Sequence, residues 1–238
     1  MRNLIIFLLA IAFVQSSHAA GHAAAELPSI AIIGTGRVGS ALGVSWGGLG
    51  HPIIYGSRAP ESEATSELVA RSGNARAVLP HEVVAHANII VLALPFRAVL
   101  ELLPKLGALE GKILIDPTNS LDFDGKTGRV SVGETLLAER IQALAPSAYV
   151  VKALNTVGAQ NMMPSRAFSG RISVPIAGDD ANAKQRVAQL IVSLGLDATD
   201  VGPLFNAGFV ESMAPLYVYM NFFARPPGGF EYSFSHDQ

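Results

Sequence analysis

Residues 32–39 read Ile32-Ile33-Gly34-Thr35-Gly36-Arg37-Val38-Gly39. An apolar, β-branched run precedes this G-x-G-x-x-G and an amphipathic stretch follows it, so it stands between a strand and the opening of a helix. Each glycine has a separate mechanical reason. Gly34 permits a tight turn, Gly36 lets a diphosphate approach the backbone, and Gly39 lets the helix pack closely on the strand. Thr35, Arg37 and Val38 complete a loop whose unpaired N–H groups and helix dipole favour an anion. The pattern predicts a dinucleotide site rather than an incidental glycine turn.

The end of the second strand selects the dinucleotide. A site for NAD places a carboxylate there, about twenty residues beyond the glycines, to accept from the ribose 2′-hydroxyl. This chain instead reads Tyr55-Gly56-Ser57-Arg58. A guanidinium can pair bidentately with a 2′-phosphate and a serine can donate to it, which predicts NADP(H). The competing reading of Arg58 is a solvated loop residue.

Working outward, short apolar runs alternate with amphipathic stretches at the spacing of strand–helix units. Strands are expected over 29–33, 52–56, 89–93, 112–116, 149–153 and 173–177, and helices over 38–49, 61–72, 95–106, 134–145 and 181–194. Asp180 reads as an N-cap and Gly195 as a helix stop. The fold class is α/β, a Rossmann-type doubly wound, mainly parallel sheet with a short C-terminal extension. The expected division is a signal peptide over 1–19, a spacer over 20–27, an NADP-binding domain over 28–178 and a helical extension over 179–238 that completes an acceptor pocket.

Ligands of such sheets lie beyond the carboxyl ends of the strands. Leu94 and Pro95 therefore belong to the candidate rim, as do Asn119 in Asp116-Pro117-Thr118-Asn119 and Asn155 in Leu154-Asn155-Thr156. Asn119 has an alternative as a turn residue bonded to its own backbone. Lys152, within a predicted strand, requires either a buried partner or a place at the site.

Composition narrows the classes. Half of the 238 residues are hydrophobic, enough for a substantial core, and 17 Lys and Arg face 19 Asp and Glu. With no basic run to grip phosphates without regard to sequence, nucleic acid is not an expected partner. The absence of cysteine removes disulfides, thiolate catalysis and cysteine-ligated metals. Arg2, eleven consecutive apolar residues over 4–14 and Ser17-His18-Ala19 resemble a secretory signal with its cleavage site. Eleven residues fall short of the ~20 that span a bilayer. The expected location is periplasmic or secreted, with a cytoplasmic or membrane-tethered protein as the alternative; no stable span is expected after cleavage.

Residues 34–39, Gly56-Ser57-Arg58, Gly111-Lys112-Ile113-Leu114-Ile115-Asp116, Val150-Val151-Lys152-Ala153-Leu154-Asn155-Thr156 and Gly178-Asp179-Asp180 together resemble the coenzyme F420-dependent NADP oxidoreductases. They are also similar to the NADPH domain of the six-transmembrane, dudulin-like metalloreductases. The likeness continues through Val201-Gly202-Pro203-Leu204 to Gly229-Phe230-Glu231-Tyr232. It implies one Rossmann domain with a small carboxy-terminal portion, and places Thr35, Ser57 and Arg58 at the adenosine phosphate of NADP. It also implies that Phe205-Asn206-Ala207 and Met213-Ala214-Pro215-Leu216 close the acceptor's pocket; otherwise these are core or a dimer surface. Ser62 stands where the deazaflavin enzymes carry a basic residue. Asn155 stands where they tend to have histidine and where the metalloreductases have asparagine.

No side chain stands out as an acid, base or nucleophile, which suits hydride transfer carried by cofactors. The catalytic residues are thus unknown at this level, and no metal is expected, since His81 and His86 are not spaced for one helical face. The expected activity is hydride transfer between NADPH and a flavin or deazaflavin acceptor, with coenzyme F420 or a flavin as second cofactor or substrate and a homodimer as the assembly. A metalloreductase-like NADPH domain and a non-catalytic NADP-binding sensor or scaffold are the alternatives. A β-hydroxyacid dehydrogenase arrangement needs a longer helical second domain than follows Asp180, and membrane electron transfer needs spans absent after Val14.

Overall fold

A computed structural model of the chain describes residues 27–163 and 168–235. The expected signal peptide and nearly all of the spacer lie outside the described residues.

In chain order the elements are β1 (Ile30–Ile33), α1 (Arg37–Gly48), β2 (Ile53–Gly56), α2 (Glu63–Arg71), β3 (Ala75–Val78), β4 (Ile89–Leu92), α3 (Phe96–Leu102) and β5 (Ile113–Asp116). A hairpin of β6 (Leu121–Asp124) and β7 (Arg129–Val132) follows. Then come α4 (Leu137–Leu144), β8 (Tyr149–Lys152), β9 (Ser173–Gly178), α5 (Ala181–Ser193), β10 (Asp197–Asp200) and α6 (Ala207–Tyr219), which runs into a π-helical turn, Met220–Ala224. Eight strands form one sheet in the order β10-β9-β8-β5-β4-β1-β2-β3. Successive strands are added in one direction from β1 to β3 and in the other from β4 onward, so the order switches between β1 and β4, the place where a doubly wound sheet opens its crevice.

The strands β1, β2, β4 and β5 are buried at every position. Their residues alternate between two cores, as a sheet covered on both faces requires. Ile30 and Ile32 pack with Leu42 and Trp46 of α1 and Val187 of α5, whereas Ala31 and Ile33 pack with Phe96 of α3 and Ile141 of α4. The five expected helices are all present within a few residues of their predicted limits, and Asp180 caps α5 through a 2.7 Å bond from the Ala183 N–H. Gly195 ends it with φ +74°.

Two strands depart from the parallel direction of the rest. β9 is antiparallel to β8, with Lys152 opposite Ala177, and β10 runs parallel to β9. Because β10 joins the sheet, residues 179–238 contribute a strand as well as helices. β3 and β10 escape sequence reading for one reason: both are edge strands, half-buried, and carry Arg76 or Asp197 and Asp200 in place of a continuous apolar run. α6 escapes for another, being apolar all round with Pro215 inside and Glu211 as its one charge.

Among the described residues no helix is long and apolar enough to cross a membrane.

Candidate functional site

The glycine loop follows β1 directly and lies against two neighbouring strand ends. Gly34 takes φ +110°, and a Cβ there would stand 2.3 Å from the Ala93 carbonyl oxygen, so only glycine fits. Its N–H donates to the Gly56 carbonyl at 3.1 Å. The loop is thereby fixed between the turn carrying Leu94 and Pro95 and the turn carrying Ser57 and Arg58. Gly39 is held just as tightly, since a Cβ would meet the Gly34 carbonyl oxygen at 2.0 Å. Around Gly36, in contrast, a Cβ would meet nothing within 4 Å. Thr35, Gly36 and Arg37 are exposed, Val38 is half-buried, and α1 begins here without a side-chain cap, its first N–H groups open. This is a cradle whose outer glycines are demanded by the protein itself and whose central one faces free space.

The second-strand end is more internally committed than its sequence suggests. Arg58 is exposed and makes no hydrogen bond or ion pair among the described residues, but Ser57 is buried, its hydroxyl 3.2 Å from Thr65 Oγ1 and accepting from the Ala59 N–H at 3.2 Å. Ser62 caps α2, accepting from the Thr65 N–H and donating to the Thr65 hydroxyl at 2.9 Å. The serine in place of a basic residue therefore holds the loop that carries Arg58.

Across the crevice, Asn119 and Asn155 are brought together. Asn119 Nδ2 donates to the Asn155 carbonyl at 2.9 Å, and Asn155 Nδ2 donates to Asn119 Oδ1 at 3.1 Å and to the Val210 carbonyl of α6 at 3.1 Å. Asn119 thus bonds across the rim rather than to its own turn; the Thr118 N–H is taken by Asp116 Oδ1 at 2.8 Å. Three buried oxygens here, Thr118 Oγ1, Asn155 Oδ1 and Thr156 Oγ1, find no partner among the described residues. Buried polar atoms are rarely left unpaired, so such a group at strand ends fits a polar ligand or ordered water. Thr118 and Thr156 stand in the two turns that the sequence placed at the rim, next to the asparagines named there.

Lys152 has its partners. Its ammonium lies 3.0 Å from Asp116 Oδ2 and 3.7 Å from Glu211 Oε1, and donates to the Thr118 carbonyl at 2.6 Å, with all three side chains buried. Glu211 gave no motif, yet its carboxylate receives the Leu137 and Ala138 N–H groups at 3.2 and 3.1 Å. It caps α4, whose own N-cap, Leu136, is left-handed and has no side-chain acceptor.

A further, half-buried carboxylate lies in the carboxy-terminal portion. Glu231 Oε1 accepts from Asn161 Nδ2 at 2.5 Å and from the Tyr217 hydroxyl at 2.8 Å, and burial raises the Glu231 pKa above the ordinary carboxylate value. Burial also raises that of Tyr217, and the facing Glu231 adds to it. Phe205 and Phe209 are exposed, Met213 is half-buried, and Asn206 Nδ2 donates to the Val201 carbonyl. Among the described residues no group of three His, Asp or Glu side chains could hold a metal ion. A cavity of about 430 Å³ lined by Leu27, His51 and Leu190 lies at the amino ends of the strands, opposite this crevice.

Comparison with known proteins agrees with this geometry. Residues 29–120 match the family described as NADP oxidoreductase, coenzyme F420-dependent. The chain is 29% identical to metalloreductase STEAP3 of Rattus norvegicus over 188 residues, 79% of this chain but 36% of that protein. It thus spans about a third of the metalloreductase's length. The F420-dependent NADP reductase of Methanothermobacter thermautotrophicus is 27% identical over 212 residues, covering 81% of this chain and 88% of the relative. A crystal structure from Arthrobacter sp. FB24, provisionally described as an F420-dependent NADP-reductase, superposes with TM-score 0.77 at 32% identity, over 87% of this chain and 100% of that one. Alike in fold and sequence across the full length of that bacterial relative, and matched through the glycine loop from which its site is built, the chain belongs to the coenzyme F420-dependent NADP oxidoreductase family.

Proposed function

We propose that this chain binds NADP(H) across the crevice between the glycine loop and the β5 and β8 ends, and transfers hydride to a flavin or deazaflavin ring. The observation that carries this is the open space over Gly36, set one strand away from a turn that offers Arg58 and no carboxylate. The residues present fit the dinucleotide: Gly34, Thr35, Gly36, Arg37, Val38 and Gly39 hold the diphosphate, and Ser57 and Arg58 the 2′-phosphate. Leu94 and Pro95 wall the crevice, while Asn119 and Asn155 face the nicotinamide end. Ser57 contributes mainly by shaping the loop, because its hydroxyl is already shared with Thr65.

Bound NADPH supplies the hydride, so the protein's part is to seat the cofactor, orient its ring and keep water out. A ferric or cupric acceptor is the second reading, favoured by Asn155 and by the similarity to the rat metalloreductase. NADPH oxidation followed side by side with flavin, coenzyme F420 and ferric chelate separates the two. Binding without turnover on any of them would leave a non-catalytic NADP module.

A homodimer through α6 belongs to the same proposal, as does export. Edman sequencing of the protein from a periplasmic fraction should begin at Ala20; a chain still starting at Met1 in the cytosol would overturn export.

A further inference from the structure

We infer that Lys152 is a positioning residue for the nicotinamide end of the site, acting through the Asp116-Pro117-Thr118-Asn119 turn. The inference rests on the NADP(H) reading above and assigns to Lys152 a part that the binding residues cannot supply themselves. Lys152 is the last residue of β8, and its side chain crosses to the end of the neighbouring strand β5. There the ammonium divides its hydrogen bonds between the carboxylate that ends β5 and the carbonyl of Thr118, two residues further on. Asp116 grips the same turn from inside, through the Thr118 N–H. Thr118, the residue before Asn119, is therefore held at both its N–H and its carbonyl by one buried ion pair.

Such an arrangement is costly if stability alone is its purpose. An ion pair removed from water rarely outperforms apolar side chains of the same volume. This one is further loaded by a second carboxylate, Glu211, giving two negative groups to one positive, with the amino terminus of α4 offsetting the excess. Around the pinned turn, Thr118 Oγ1, Asn155 Oδ1 and Thr156 Oγ1 are without a partner among the described residues, while the Thr118 N–H and carbonyl beneath them are both bonded. A rigid floor under free polar groups is what orientation of a ligand requires. Through Glu211 and the Val210 carbonyl, α6 is tied to the same floor, so the carboxy-terminal helix and the crevice are set by one network.

The test compares two ligands. 2′,5′-ADP reports the adenosine end alone, and NADPH reports both ends, with its nicotinamide fluorescence as a second signal. Lys152→Met leaves Asp116 and Glu211 buried against one another and endangers folding, so the decisive protein is Lys152→Met with Asp116→Asn, which removes the pair together and keeps the net charge of the cluster. The expected result is 2′,5′-ADP affinity unchanged, NADPH affinity lowered about tenfold, the worth of one or two hydrogen bonds, and the fluorescence enhancement of bound NADPH reduced. Adding Asn119→Ala should bring little further loss, because both changes release the same turn. Unchanged NADPH binding and fluorescence would overturn the inference, as would equal losses for both ligands, which would mean that the pair holds only the fold. Binding of neither ligand by the unaltered protein would overturn the NADP(H) reading and this inference with it, a result distinct from the other two.

Discussion

A Cβ placed on Gly39 would stand 2.0 Å from the Gly34 carbonyl oxygen, whereas one on Gly36 would touch nothing. The two glycines therefore serve different masters, one the packing of helix on strand and the other the space outside. Gly39→Ala should cost about 1–3 kcal/mol of stability through forced displacement of the loop. Gly36→Val should leave the melting temperature within about 2 °C while lowering NADPH affinity at least tenfold. A Gly36→Val protein that binds NADPH normally would place the diphosphate elsewhere.

Arg58 is exposed and has no bonded partner among the described residues, so its removal should not disturb the fold. Arg58→Ala is expected to weaken NADPH by roughly 10- to 100-fold, the range of a charge-assisted bond, and to leave NADH nearly unchanged. Titration of both nucleotides by fluorescence checks this; equal losses would remove the argument for the 2′-phosphate.

Glu231 supplies a pH-dependent term with a definite sign. Burial raises its folded pKa above the ordinary 4.5, so the folded state keeps the proton longer than the unfolded chain does. Its contribution is intact at acid pH and is lost as pH rises from about 4.5 through the raised folded value. Glu231→Gln keeps an acceptor for Asn161 and Tyr217 without the charge. It should match the unaltered protein below pH 4.5 and become increasingly the more stable of the two above it. Chemical denaturation across that range measures the gap, and a constant gap would show that Glu231 does not titrate in this window.

Phe209 is 74% exposed on a helix that carries no charge on its outer face, with Leu216, Tyr219 and Phe222 also exposed. A surface of this kind is usually covered. Light scattering on the purified protein should give the mass of a dimer, and Phe209→Asp should shift it to the monomer with the secondary structure retained.

The residues that were readable in the sequence are those whose signal is local. The glycine loop declares itself by spacing, the inner strands by unbroken apolar runs, and Asp180 by standing just ahead of its helix. What stayed hidden depends on partners far along the chain. Glu211 meets Leu137 and Ala138, 74 and 73 positions away. Lys152 meets Asp116 from 36 positions away. A lone lysine within a strand announced that a partner must exist, but not which one, and the lone carboxylate of α6 passed unread. The hairpin of β6 and β7 was legible in principle, since Leu121, Phe123, Val130 and Val132 alternate with polar residues. Ser57 shows the opposite case: its position invited a phosphate, and the loop had already claimed the hydroxyl.

Because β9 turns back against β8, everything that follows it starts from the far rim of the sheet. Asp179 and Asp180 come out beside Tyr149, at the base of the sheet, and the first turn of α6 returns the chain to Asn155, whose Nδ2 donates to the Val210 carbonyl. The β9–α5–β10 unit can therefore vary or acquire insertions without touching the crevice. The segments tied to the rim are the turn after β8 and the first turn of α6, joined where Asn155 meets Val210.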